Sequence, residues 1–102
     1  MAAGDWKEML KACEEGNLEL VQYHIQAGVD PNYQHPEYLT TPLIVSIEYG
    51  YKEICVYLLE HGANPTLKAG FSEDTPMKIA RRYKRKGIMK LLKDAINNSP
   101  KA

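Results

Sequence analysis

The side chains best able to hold a metal or move a proton here are His24, His35, His61, Cys13 and Cys55. Zinc sites place such residues at short, fixed separations, and no pair in this chain has that spacing. The expectation is therefore no metal and no cofactor. Cys13 and Cys55 sit in apolar helical patterns and read as reduced interior thiols rather than a disulfide. There is no Gly-rich phosphate loop, HExxH helix or nucleophile elbow. Ser46 falls within an apolar run, where a hydroxyl bonds a local carbonyl more readily than it attacks a substrate. With no catalytic set in view, the expectation is a protein that is not an enzyme.

Two further groups have the chemistry of recognition. Arg81-Arg82-Tyr83-Lys84-Arg85-Lys86 carries five cations in six residues. Arg81, Arg82, Lys84, Arg85 and Lys86 are thus candidates for contacting a nucleic acid or another polyanion, or for a nuclear-targeting patch. The plainer reading is a solvated helix end, since cations are favoured there and a helical phase scatters them around the axis. Tyr38, Tyr49, Phe71 and Tyr83 form the second group, of the type that dominates binding hot spots. The alternative is that their rings cover neighbouring helices and wet only a hydroxyl.

Those side chains are positioned by a repeating framework. Thr41-Pro42-Leu43 recurs as Thr75-Pro76-Met77, and the offset of 34 also relates Gly16 to Gly50, Gly28 to Gly62, and Asp30-Pro31 to Asn64-Pro65. A period in this range marks a repeat array whose units bury their faces by stacking. In the middle unit Thr41 is a hydroxyl N-cap and Pro42 takes the first helical position. A short helix follows, apolar at Leu43, Ile44, Val45 and Ile47. Gly50-Tyr51 turns the chain into a second helix from about Lys52 to His61, ended by Gly62. In the first unit Asp5 with Glu8 reads as a capping pair, and Trp6, Met9, Leu10, Ala12 and Cys13 supply the buried stripe. The third unit reads as helices from Thr75 to about Lys86 and from Ile88 to Ile96. Its pattern decays, with Lys84 where Gly16 and Gly50 stand, as suits a terminal unit with one wet face.

These residues resemble the ankyrin repeat. The run from Thr41 to Pro65 follows that pattern nearly throughout: Thr-Pro-Leu, the turn glycine, Glu53-Ile54, Leu58-Leu59 and Gly62-Ala63-Asn64. The resemblance implies an all-α solenoid of three helix-turn-helix units with finger loops, the terminal units acting as caps. The unit boundaries fall at about residues 5–34, 35–68 and 69–96, with 97–102 as a frayed tail. Three departures stand out. The period is 34 against a family norm of about 33. The Asp-x-x-Gly finger signal is replaced by Pro36-Glu37-Tyr38-Leu39 and Gly70-Phe71-Ser72-Glu73, so regular hairpins are not expected there. His24 stands where Leu58 and Leu92 stand in the other units, as a satisfied interior or edge histidine or as a pH sensor.

Family members usually bind other proteins along a concave surface of fingers and first helices. Carried onto this chain, the contact positions are Glu37, Tyr38, Thr40, Glu48 and Tyr49 in the middle unit. In the third they are Phe71, Ser72, Asp74, Arg82 and Tyr83, and in the first Glu14 and Glu15. The implied role is a small inhibitor, adaptor or regulatory subunit, monomeric alone. No apolar run approaches the ~18 residues of a membrane span, and the start of the chain lacks a basic segment followed by an apolar core. Cytoplasmic placement is the expectation, with nuclear placement as an addition to it. Net charge is zero, yet residues 1–51 hold two lysines against eight acids and residues 52–102 hold eleven Lys/Arg against five acids. In an elongated stack this separation makes one end acidic and the other basic.

Overall fold

The computed structural model describes residues 5–70 and 73–98. Six helices occur in order: α1 Trp6–Glu15, α2 Leu18–Gln26, α3 Pro42–Tyr49, α4 Lys52–Glu60, α5 Pro76–Arg82 and α6 Lys86–Asn98. The first helices of the units stack as α1, α3, α5 and the second helices as α2, α4, α6, giving two layers. The body measures 31 × 28 × 27 Å, so three units make a nearly equant molecule. The elongated stack expected to separate an acidic end from a basic end does not arise, because each of the three units is about as wide as the stack is long.

The caps explain why the helices stand where they do. Thr41 Oγ1 accepts from Ile44 N–H and Thr75 Oγ1 from Lys78 N–H, each at 3.2 Å. Asn17 does the same for α2, accepting from Leu20 N–H. At the other ends, Asn17 N–H donates to Ala12 O, Tyr51 N–H to Ser46 O and Arg85 N–H to Ala80 O, at 2.9, 2.9 and 2.8 Å. This is one helix-stop device repeated at the sequence period. It needs a left-handed residue, supplied by Gly16 (φ 75°), Gly50 (φ 78°) and Lys84 (φ 57°). The third unit therefore keeps the turn that its sequence conceals. α5 ends at Arg82 rather than near Lys86, and α6 starts at Lys86.

A second set of left-handed residues lies in the fingers. Leu39 (φ 49°) and Glu73 (φ 55°) occupy the place of the missing finger glycine. Ala69 and Asp74 exchange backbone hydrogen bonds of 2.9 and 3.0 Å as an antiparallel bridge. The base of the third finger is thus bridged without a finger glycine, while its tip, Phe71-Ser72, where an irregular turn is expected, lies outside the described residues. A β-carbon in the left-handed region costs roughly 1–2 kcal/mol. Lys84→Gly is therefore expected to raise the unfolding free energy by up to about 1 kcal/mol in a urea melt, the gain reduced by glycine's greater unfolded-state entropy. Lys84→Ala, which keeps the β-carbon, should leave stability nearly unchanged.

Two other expectations need correction. Asp5 makes no side-chain cap on α1, and Glu8 instead reaches toward His24. Glu8 Oε1 lies 2.8 Å from the Nε2 of this buried α2 imidazole. The supposed tail is also partly ordered: α6 continues through Asn98, and residues 99–102 lie outside the described residues.

The core runs between the two layers. Met9, Cys13, Val21, Ile47, Cys55, Leu58, Ala80 and Leu92 are fully buried. Ser46, also fully buried, donates its hydroxyl to Pro42 O at 2.7 Å. Cys13 and Cys55 are free thiols. Burial pushes both up to about 12, Ser46 pulling slightly the other way at Cys13 and Cys13 adding to the rise at Cys55. A buried, protonated thiol is a packing element, unsuited to nucleophilic work at neutral pH.

Candidate recognition groove

The first helices and the fingers enclose an open groove. Of the sequence-selected residues, Tyr38, Thr40, Glu48, Tyr49, Asp74 and Arg82 line it together. Glu14 joins them from α1, and Leu39, Ile44, Val45 and Ile79 form its apolar floor. Toward the first unit the groove continues along Lys7, Leu10 and Lys11, with Glu14, Tyr38 and Thr40 common to both parts. Glu37 is exposed on the second finger and Tyr83 lies at the α5–α6 turn, both outside this lining. Glu15 is likewise exposed and outside it. Phe71 and Ser72 fall outside the described residues.

The fingers hold their place through a polar ladder. Asn32 Nδ2 donates to Gly62 O and Asn32 Oδ1 accepts from Asn64 N–H, at 2.9 and 2.8 Å. Gln34 Nε2 donates to Lys68 O at 2.7 Å, and Gly70 N–H to Leu39 O at 2.6 Å. Successive fingers are thus tied side to side, which keeps the groove wall from depending on loop propensity alone.

Charge inside the groove is uneven. Arg82 donates to the buried Asp74 carboxylate at 2.8 Å, an ion pair with an exposed cation. That carboxylate is the main reason the Arg82 guanidinium is held above its ordinary value. Glu48 is half-buried; burial pushes its carboxyl up, and Arg82 partly counters this. Glu14 is the chief cause of a raised Tyr49 hydroxyl. With Asp74 matched by Arg82, Glu14 and Glu48 leave a local surplus of negative charge around the Tyr49 ring.

The three described aromatics of the sequence-selected group, Tyr38, Tyr49 and Tyr83, have separate neighbours. Tyr38 meets Trp6 edge-on at 5.2 Å, while Trp6 stacks on His35 at 4.5 Å and tilts against Tyr33 at 5.7 Å. Lys7 Nζ lies 5.9 Å from the Trp6 and Tyr38 ring centres. This cluster closes the first-unit end of the groove. Sequence reading missed it, because Trp6 follows the helical core spacing while Tyr33 and His35 lie on a loop with no period. Tyr49 instead stacks with Tyr51 at 6.5 Å, and Tyr83 lies under the Arg85 guanidinium at 5.8 Å. All three tyrosines keep substantial exposure: Tyr38 47%, Tyr49 50% and Tyr83 44%.

The basic run is divided by its turn. Arg82 faces Asp74, and Arg85 donates to Ile47 O at 3.1 Å and Glu48 O at 2.6 Å. Arg85 therefore serves the last carbonyls of α3, where a cation also meets the negative helix end. Arg81, Lys84 and Lys86 remain exposed. The structure does not align the five cations into one anion-binding row.

The chain matches the profile of ankyrin repeats, in three copies, over residues 9–101. It belongs to the ankyrin-repeat family, a class of modules that generally bind other proteins. Over 90 residues it is 30% identical to the ARF GTPase-activating protein Git of Drosophila melanogaster, covering 88% of this chain and 12% of that one. It is 48% identical over 50 residues to a palmitoyltransferase of Lachancea kluyveri, covering 49% of this chain and 7% of the relative. A putative ankyrin repeat protein of Acanthamoeba polyphaga mimivirus shares 43% identity over 53 residues, 52% of this chain and 32% of its own length. The chain thus spans a minor part of each of these relatives. Among the described residues no helix is long and apolar enough to cross a membrane.

Proposed function

We propose that this ankyrin-repeat chain acts by binding a partner protein in the groove of its first helices and fingers, as a regulatory, inhibitory or adaptor element. The observation that carries this reading is the convergence of Tyr38, Thr40, Glu48, Tyr49, Asp74 and Arg82 on one groove. A tied finger ladder and short capped helices present these groups with little ordering cost on association. The surplus charge of Glu14 and Glu48 beside the Tyr49 ring favours a partner segment that brings an Arg or Lys side chain. Such a cation would pair with the Glu48 carboxylate and oppose the rise that burial imposes on it, as Arg82 already does in part.

Affinity capture with wild type and a Glu48→Gln/Tyr49→Ala double variant tests the proposal. Both side chains lie outside the buried core, so the variant should fold and melt nearly as wild type does. Any groove partner is expected to bind the variant about tenfold or more weakly, corresponding to about 1.4 kcal/mol or more. Partners retained equally by both proteins would refute the assignment.

A further inference from the structure

His24 stands in a slot that its counterparts Leu58 and Leu92 fill completely. Its backbone keeps the repeat geometry, His24 O accepting from Val29 N–H as Leu58 O accepts from Ala63 N–H. An imidazole in a leucine slot loses water contacts, and that cost must be offset by a partner of matching chemistry. The ring is 1% exposed, and its Nε2 has no hydrogen-bond partner. Glu8 Oε1 approaches that nitrogen to 2.8 Å, an ion-pair distance without hydrogen-bond alignment. Asp5, released from capping α1, completes the group. One donor atom from each of Asp5, Glu8 and His24 lies within 4.8 Å of the other two.

We propose that Asp5, Glu8 and His24 form a divalent-metal site of the zinc type, joining the first turn of α1 to the last turn of α2. One imidazole nitrogen and two carboxylate oxygens are a donor set that zinc accepts, with water completing the coordination. Two carboxylates and a neutral imidazole balance a dication. The 2.8 Å between Glu8 Oε1 and His24 Nε2 is shorter than the roughly 3.3 Å between tetrahedral ligands at ordinary zinc–ligand lengths, so the two groups would spread slightly around a bound ion. Local charge also sets a limit on affinity. Lys7 and Lys11 line the same concavity as Asp5 and Glu8, and the positive end of α1 points there. The site is therefore expected to bind more weakly than a closed structural zinc centre. Sequence spacing does not suggest this group, because Asp5 and Glu8 meet His24 only through the packing of two helices.

The full chain, stripped with a chelator and titrated with zinc sulfate, tests this by calorimetry and by imidazole nitrogen NMR. One zinc per chain should bind, moving the His24 Nε2 resonance and raising the melting temperature. Glu8→Gln and Asp5→Asn, both at exposed positions, should retain the helical circular dichroism and weaken zinc binding about tenfold or more each. A simple His24–Glu8 ion pair would instead show no zinc binding at micromolar concentrations. That result overturns the proposal, as do zinc shifts confined to His35 or His61 and unaltered affinity in the two variants.

Discussion

Leu58→Ala is expected to lower the unfolding free energy by about 2–5 kcal/mol. Leu58 is 0% exposed on α4, the second-layer helix covered by α2 on one side and α6 on the other. With both flanks packed, relaxation into the space is expected to be partial, so the cost of the remaining cavity adds to the lost transfer energy. Domains of this size hold only about 5–15 kcal/mol in total, so the variant should melt at much lower urea. Ile96→Ala is the control: Ile96 is 38% exposed on the open side of α6, and its loss should be far smaller. A Leu58→Ala cost below about 1 kcal/mol would mean that α4 is not the centre of the stack.

Gly50→Ala carries the second large effect, and its origin can be separated. Gly50 has φ 78°, and a β-carbon there would come within 2.9 Å of Arg85 Cζ and Nη1. The backbone term is roughly 1–2 kcal/mol. Displacing Arg85 from Ile47 O and Glu48 O removes charge-assisted bonds of about 1.5–3 kcal/mol. Together the loss is expected at about 2–4 kcal/mol, part of the displacement being relieved by movement of the Arg85 chain. In an Arg85→Ala background the same glycine substitution should cost only the backbone term. Gly62→Ala provides a further check: its φ is 100° and nothing lies within 4 Å of its β-carbon. Equal costs for Gly50→Ala in both backgrounds, read from urea melts, would show that the guanidinium does not lock the two turns.

The framework was legible because capping and turning demand particular residue types. Thr41, Thr75, Pro42, Pro76, Gly16 and Gly50 each do a job that few side chains can do, so their spacing reveals the helices. Lys84, Leu39 and Glu73 show where that reading fails. Backbone hydrogen bonds close the turns at these left-handed residues, Arg85 N–H to Ala80 O, Leu39 N–H to His35 O and Glu73 N–H to Gly70 O, and nothing in their side-chain chemistry announces it. The groove was legible only in part. Tyr38, Thr40, Glu48, Tyr49, Asp74 and Arg82 follow from position within a repeat, which fixes the face a side chain occupies. The pairing of Arg82 with Asp74 and the docking of Arg85 onto α3 depend on distances across turns and between units. The Trp6 cluster and the Asp5–Glu8–His24 group have the same character. They arise between elements of unlike period, where one-dimensional spacing has no purchase.

Chemical-shift mapping on the isotopically labelled chain, titrated with a partner obtained by affinity capture, tests the groove most directly. Binding there predicts the largest amide changes at Tyr38, Thr40, Glu48, Tyr49, Asp74 and Arg82, with α2, α4 and α6 little affected on their outer faces. Changes concentrated on those outer faces, with the groove amides unmoved, would contradict recognition through the groove.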